Sequence, residues 1–85
     1  MKTMATIKSP QELGGALRSA RKQLGLTQSQ LALAAGVGVR FIVELERGKP
    51  TVRLDSVLQV IDALGGVIHL DGLPSSAHEV CAHGS

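Results

Sequence analysis

Aromatic side chains are almost absent from this chain, which has 85 residues, one phenylalanine (Phe41) and neither tryptophan nor tyrosine. Proteins that bind single-stranded nucleic acids usually stack the bases on aromatic side chains. A single phenylalanine cannot form such a platform. Any nucleic acid that this chain binds is therefore expected to be double-stranded.

Cysteine and long apolar runs are also scarce. Cys81 is the only cysteine, so no internal disulfide can form, and the first residues do not resemble a secretory signal. The longest apolar run, residues 31–39, contains two glycines and is much shorter than the ~20 residues that span a bilayer. These absences predict a cytoplasmic protein without a membrane partner.

Catalytic and metal-binding patterns are missing as well. The sequence shows no pair of candidate catalytic carboxylates, no nucleophile with a nearby base and no phosphate-binding glycine-rich loop after a strand. His78, Cys81 and His83 are soft ligands near the C-terminus, but they lack a fourth ligand. We expect no enzyme activity, no cofactor and no metal site.

Basic residues are absent from the second part of the chain. Residues 1–53 carry all nine Lys and Arg residues against three Glu, a net charge of +6, whereas residues 54–85 carry four acids and no Lys or Arg, a net charge of −4. The overall charge of +2 conceals this asymmetry. A basic surface suits a polyanion such as duplex DNA, and the acidic part is expected to face away from it.

The length allows one small domain. We expect a loose arm over residues 1–8, a domain over residues 9–73 and a disordered tail over residues 74–85. Apolar spacings of three and four predict an all-α domain of four helices. Their expected ranges, bounded by capping residues and glycines, are 10–24, 28–35, 39–47 and 53–64.

Residues 67–71 alternate between apolar and polar side chains, which predicts a β-strand. The chain contains no second candidate strand, and an unpaired strand leaves its backbone polar groups unsatisfied. We therefore expect this strand to pair with its copy in a homodimer. The expected contact residues are Val67, Ile68, His69 and Leu70.

The second and third predicted helices have the spacing of a helix-turn-helix, the motif whose second helix enters the major groove of DNA. Ala32 fits a close helix crossing, and Gly36 fits a turn with positive φ. Ile42 and Leu45 are spaced so that both face the core.

These residues carry a family resemblance. The pattern Leu17-x-x-x-Arg21, Gly25-Leu26-Thr27-Gln28-x-x-Leu31-Ala32-x-x-x-Gly36-Val37 and Ile42-x-x-Leu45-Glu46-x-Gly48 closely resembles the Xre/Cro-type helix-turn-helix family, over about residues 10–65. Ser9-Pro10, the link over residues 48–51 and the strand resemble HipB-type antitoxins. The segments Arg40-Phe41-Ile42 and Lys49-Pro50-Thr51 resemble especially a short rhizobial-type subgroup. The resemblance implies a lambda-repressor-like dimer that binds a palindromic operator, represses its own operon and neutralises a HipA-like serine/threonine kinase toxin.

The third helix is the expected reading helix, because Ile42 and Leu45 fix which face points inward. Arg40 is the foremost candidate for a base contact, since its guanidinium can pair with guanine O6 and N7; contact with phosphate or solvent alone is the alternative. The other candidates on this face are Gly38, Val39, Val43 and Glu44. The valines could meet thymine methyl groups, whereas Glu44 could accept from cytosine N4 or repel wrong sequences.

The start of the second helix is a candidate phosphate site, formed by Thr27 and Gln28. Thr27 could instead serve only as a helix cap. Further cations near the groove are Lys49, Arg47 and Arg53. In the resembled family, the positions of Arg21 and Glu46 commonly form an ion pair between the first and third helices.

The role of Phe41 stays open among a DNA-backbone contact, an interface and partial burial. Two rival functions stay open too: a regulator of the same family without a toxin, and a protein-interaction module that has lost DNA binding. The weakly polar Gly38-Val39 start of the third helix keeps the second rival open.

Overall fold

A computed structural model of the chain describes residues 5–74. Within this range the protein is all-α, with four helices in the order α1 (Pro10–Gln23), α2 (Gln28–Ala35), α3 (Val39–Glu46) and α4 (Leu54–Ala63). The four-helix prediction is confirmed. The predicted limits differ by one residue where Leu24, Arg47 and Leu64 cap helix C-termini and Arg53 caps the N-terminus of α4.

The helix ends follow from local hydrogen bonding. The Ser9 hydroxyl accepts the Glu12 amide at 3.1 Å, and Pro10 occupies the first turn of α1. Gly36 caps α2 with φ of 74°, a left-handed conformation that costs glycine little because it has no Cβ. This turn directs the chain from α2 into α3.

The core lies where α3 packs on α1 and α2, and α4 packs on α2. Ile42 and Leu45 are buried, as the helix-turn-helix spacing predicts, and so is Ala32. Each helix contributes to this core, whose members are Leu17, Leu31, Ala32, Ala35, Ile42, Leu45, Val57, Val60 and Ile61.

The crossing of α1 and α3 brings two backbones together at Gly14. A Cβ at this position would overlap the carbonyl oxygen of Leu45 and lie 2.8 Å from that of Glu46. Gly48 approaches Gln11 in a similar way, with φ of 87°. The two glycines let the end of α3 lie directly on the start of α1.

Residues 67–71 form no strand in the structure of the isolated chain, and neither does any other part of residues 5–74. A strand needs a hydrogen-bonding neighbour, and one copy of the described segment provides none. Val67, Ile68 and Leu70 are exposed by 68%, 51% and 78%. Pairing with a second copy stays a prediction.

The predictions made for the ends of the chain lie largely outside the described range. Residues 5–8 precede α1 and are exposed, whereas residues 1–4 and 75–85 are not described. His78, Cys81 and His83 belong to the latter group. No cluster of three or more potential metal ligands occurs among residues 5–74.

Candidate nucleic-acid interface

The start of α2 is held by a reciprocal capping box. The Thr27 hydroxyl accepts the Gln30 amide at 3.0 Å, and Gln30 Oε1 accepts the Thr27 amide at 2.9 Å. The capping role of Thr27 is therefore present in the structure. Thr27 as a whole is exposed to solvent.

Arg21 and Glu46 form a two-point ion pair that joins α1 to the end of α3. Arg21 Nε and Nη2 donate to the two carboxylate oxygens at 2.7 and 3.0 Å, and Nη1 donates to the Leu26 carbonyl at 2.8 Å. Both side chains are almost fully buried, with exposures of 10% and 4%. The pair thus sets the position of α3 relative to α1 and the α1–α2 turn.

The pKa values of this pair shift in opposite directions. Hydrogen bonding to Glu46 raises the pKa of Arg21 above its ordinary value. Burial by itself would raise the pKa of Glu46, but hydrogen bonds from Arg21 and Gln28, with the charges of Arg21 and Arg18, lower it overall. Both groups are therefore charged at neutral pH.

Gln28 connects the ion pair to the protein surface. Its Nε2 donates to Glu46 Oε1 at 3.2 Å, which fixes the orientation of the half-buried amide. One of the two amide hydrogens is used in this bond, and the other can serve an acceptor outside the protein. Gln28 is thus a preoriented donor at the first position of α2.

The outer face of α3 presents the predicted reading residues. The Arg40 side chain is 90% exposed, and Val39 is 46% exposed, while Val43 is half-buried. Gly38 caps the helix without a side-chain bond and has open space at its Cβ position. A base edge can therefore come close to the backbone at the start of α3.

Glu44 lies between two cations on the surface. Its carboxylate is 3.8 Å from Arg40 Nε, one turn earlier in α3, and 3.4 Å from Lys49 Nζ beyond the helix. All three side chains are at least one-third exposed. Exposed pairs of this kind contribute little to stability, so both cations are available to a stronger anion.

A polar groove lies beside the ion pair, and Gln28, Val43 and Glu46 are among its lining residues. Two guanidinium groups complete the lining, Arg18 from α1 and Arg47 from the end of α3. Sequence reasoning missed Arg18 as a site residue. Residues three apart share a helix face, and Arg18 lies three residues before Arg21. The expected contact of Arg21 with α3 could therefore have predicted that Arg18 also lies beside α3.

The remaining cations and apolar candidates occupy less central positions. Arg53 donates to both Asp55 oxygens, at 3.2 and 2.8 Å, which lowers the pKa of Asp55. Phe41 is half-buried and packs against the core, the outcome expected for partial burial. His69 is exposed in the segment that follows α4.

No helix within residues 5–74 combines the length and apolar character needed to cross a membrane. The described surface instead has a basic and polar side formed by α1, the start of α2 and the outer face of α3. This is the arrangement of a helix-turn-helix whose second helix is available to a groove of duplex DNA.

The model of the helix-turn-helix family matches residues 17–69, well over half of the chain. The chain belongs to the Xre-type helix-turn-helix family. Members of this family are DNA-binding transcriptional regulators rather than enzymes, and we describe the chain as a helix-turn-helix transcriptional regulator.

Relatives of known sequence or structure agree with this assignment. The chain is 52% identical over 59 residues to the uncharacterised HTH-type transcriptional regulator y4mF of Sinorhizobium fredii, an alignment that covers 69% of this chain and 78% of the relative. It also resembles a chain of the solved HipA-HipB-O2-O3 complex, with a TM-score of 0.76, 27% identity and coverage of 84% and 100% of the two chains. The clp gene regulator ClgR from C. glutamicum is similar with a TM-score of 0.64, 35% identity and coverage of 78% and 85%.

Proposed function

We propose that this regulator is a repressor that binds a palindromic operator as a symmetric dimer, with α3 of each protomer in the major groove. The carrying observation is the division of α3 into two faces. Ile42 and Leu45 are 0% and 2% exposed, whereas Arg40 and Val39 on the other side are open. The buried face anchors the helix and leaves the outer face for base edges.

Arg40 is the principal base-reading residue in this proposal. A bidentate contact with guanine O6 and N7 provides ~1–3 kcal/mol of discrimination against other bases. Val39 and Val43 supply apolar contacts to thymine methyl groups, and Gly38 allows the backbone to approach closely. The exposed position of Arg40 at the start of α3 supports this role.

Contacts with phosphate groups position the helix on the duplex. The first turn of α2 has amide groups without helical acceptors, and the positive end of the helix dipole lies there. Thr27 and Gln28 bind one phosphate at this point, and Lys49 contributes at the end of α3. The oriented amide of Gln28 supports this assignment.

Residues 67–71 form the dimer contact by pairing with the same segment of a second copy. Two symmetric half-sites then place the recognition helices about one helical turn apart, roughly 34–36 Å. The exposed apolar side chains of Ile68 and Leu70 support this pairing, because a dimer would cover them.

A gel-shift experiment on the DNA upstream of the protein's own gene tests the repressor function. We expect a salt-sensitive shift that Arg40→Ala weakens on this DNA far more than on a random duplex. A shift that is absent, or that Arg40→Ala leaves unchanged, would reject this model of DNA reading. Absence of any shift would favour a protein-interaction module.

We further propose that the protein is the antitoxin of a type II toxin-antitoxin system and neutralises a HipA-like kinase in the cytoplasm. Similarity to a chain of a HipA-HipB complex at 27% identity supports this role. Asp62 is an exposed acid on α4, an element other than the recognition helix, and α4 is therefore available to a protein partner in this proposal.

Co-expression with the adjacent reading frame tests the antitoxin role. We expect that frame to encode a HipA-like kinase that arrests growth alone, co-purifies with this protein and is harmless in its presence. An adjacent frame without such a kinase, or a kinase that does not co-purify, would favour a regulator without a toxin. The similarity to the regulator ClgR at 35% identity supports this second candidate, a regulator without a toxin.

A further inference from the structure

The recognition helix α3 has few side chains that can hydrogen-bond to DNA bases. It contains no Ser, Thr, Asn or Gln, and its charged residues are Arg40, Glu44 and Glu46. Both carboxylate oxygens of Glu46 accept from Arg21, so this group is already paired. Arg40 and Glu44 are therefore the polar side chains that α3 offers to base edges. The amide side chains that usually pair with adenine are missing from this helix.

Two valines lie beside the Arg40 guanidinium on the outer face. An α-helix turns by about 100° per residue, so Val43 lies between Val39 and Arg40 when the helix is viewed along its axis. Glu44 lies beyond Arg40, with its carboxylate 3.8 Å from Arg40 Nε. Val39 is 46% exposed and Val43 is half-buried, whereas the Arg40 side chain is 90% exposed. Across the helix the surface is thus first apolar, then cationic, then anionic.

This order fits a methyl group next to a guanine. A guanidinium that pairs with guanine O6 and N7 lies in the plane of that base, and the neighbouring base pair is only ~3.4 Å away. A methyl group at C5 of a pyrimidine on the 5′ side can therefore contact the face of the guanidinium. Pyrimidine-purine steps are loosely stacked, so the guanine does not cover this methyl group. The valines provide the remaining apolar contacts.

We propose that α3 reads a 5-methyl group on the pyrimidine that directly precedes the guanine bound by Arg40, with Val39 and Val43 enclosing the methyl group. Thymine supplies this group in a thymine-guanine step. 5-Methylcytosine supplies it at the same ring position, whereas unmodified cytosine lacks it. The inference rests on the proposed DNA-binding function and adds a form of regulation, because methylation of a cytosine-guanine step strengthens binding at sites that the unmodified sequence does not offer.

Removal of thymine methyl groups tests this contact. The DNA upstream of the gene is synthesised with thymidine or with deoxyuridine, which pairs in the same way but lacks the methyl group, and binding is followed by fluorescence anisotropy. We expect deoxyuridine to weaken binding about fourfold for each half-site, the value of one buried methyl group, and roughly fifteenfold for a dimer. Replacing thymines one at a time should locate the effect at a thymine followed by guanine.

Valine variants connect the methyl group to α3. Val39→Ala and Val43→Ala should weaken binding to the thymidine DNA, and deoxyuridine should then cause a smaller further loss, because one side of the contact is already missing. Val39 is the first residue of α3 and alanine favours helices, so Val39→Ala should remain folded. Leu33→Ala is the matched control, since Leu33 is 84% exposed on α2, and it should retain the full response to the methyl group.

Cytosine at the located position provides the second arm of the test. Replacing that thymine-adenine pair by a cytosine-guanine pair should weaken binding of the wild type. Methylation of the new cytosine at C5 should restore most of the loss, because it returns the methyl group without changing the other groups of the base.

The possible outcomes separate this inference from the proposed function. Equal binding of thymidine and deoxyuridine DNA, an effect confined to thymines not followed by guanine, or 5-methylcytosine that binds no better than cytosine would overturn the inference and leave DNA binding intact. A full methyl response in both valine variants would also overturn it. A wild-type protein that binds neither form of the upstream DNA would overturn the proposed function and this inference with it.

Discussion

Arg21 and Glu46 form the least exposed ion pair in the described part of the chain. Removing one member of a buried pair leaves the other charge uncompensated, at a cost of about 3–5 kcal/mol. We expect Arg21→Ala to lower the free energy of unfolding by this amount in urea denaturation. Lys22→Ala, on the adjacent exposed residue, should change it by less than about 0.5 kcal/mol.

Folding lowers the pKa of Glu46, which links stability to pH. Such a carboxylate stabilises the fold above its unfolded pKa of ~4.3, and this contribution is lost as the pH falls through the lower folded value. The melting temperature of the wild type should therefore fall below about pH 4 more steeply than that of Glu46→Gln. If the melting temperatures of the two proteins depended on pH in the same way, Glu46 would not be the group that links stability to pH.

Glu44 places a negative charge on the face of α3 that we assign to DNA. On random DNA its carboxylate mostly meets phosphates and base acceptors, whereas an operator can hold a cytosine N4 donor at the matching position. We expect Glu44→Gln to bind random duplexes more tightly and to reduce the preference for the operator about tenfold, ~1.4 kcal/mol. Glu12→Gln, which removes the same charge from the start of α1, should leave the preference unchanged.

At the scale of elements, periodicity and capping residues were sufficient to predict all four helices. Ser9 and Thr27 start α1 and α2 with the bonds expected from their side chains, and Gly36 ends α2 as predicted. These signals involve residues close together in the chain, so they can be recognised from the sequence alone. The groove of Arg18 and Arg47 could not be predicted with the same ease, because it depends on how α1 crosses α3.

The neighbouring glycines of α1 illustrate the same distinction. Gly14 has the backbone of α3 within overlap distance of its Cβ position, whereas Gly15 has nothing within 4 Å. Gly14→Ala should destabilise the protein by about 1–3 kcal/mol through overpacking. Gly15→Ala should stabilise it by roughly 0.5–1 kcal/mol, because alanine favours the helix. Urea denaturation of both variants checks this contrast, and equal effects would contradict the close crossing.

On the scale of the whole molecule, the charge asymmetry of the sequence matches the arrangement of the helices. The helix-turn-helix belongs to the basic residues 1–53, while α4 and the apolar segment after it belong to the acidic remainder. In the proposed dimer, DNA and a second copy of the chain would therefore contact different parts of the protein. The proposed strand pairing requires two chains, so the structure of one copy does not test it.

Deletion of residues 67–73 tests the dimer contact. None of these residues belongs to the core, so the four helices should remain folded. Light scattering should give the monomer mass for the deletion and the dimer mass for the full chain. As a milder variant, Ile68→Asp combined with Leu70→Asp should also give monomers, and an unchanged dimer mass would place the contact elsewhere.

Hydroxyl-radical footprinting on the operator tests the central claim most directly, because it reports both DNA contact and dimer geometry. We expect two protected half-sites related by a twofold axis, with centres about 10–10.5 base pairs apart or a multiple of this spacing. Arg40→Ala should abolish the protection at concentrations where the wild type is bound. A single unsymmetric protected patch, or protection that survives Arg40→Ala, would contradict the account.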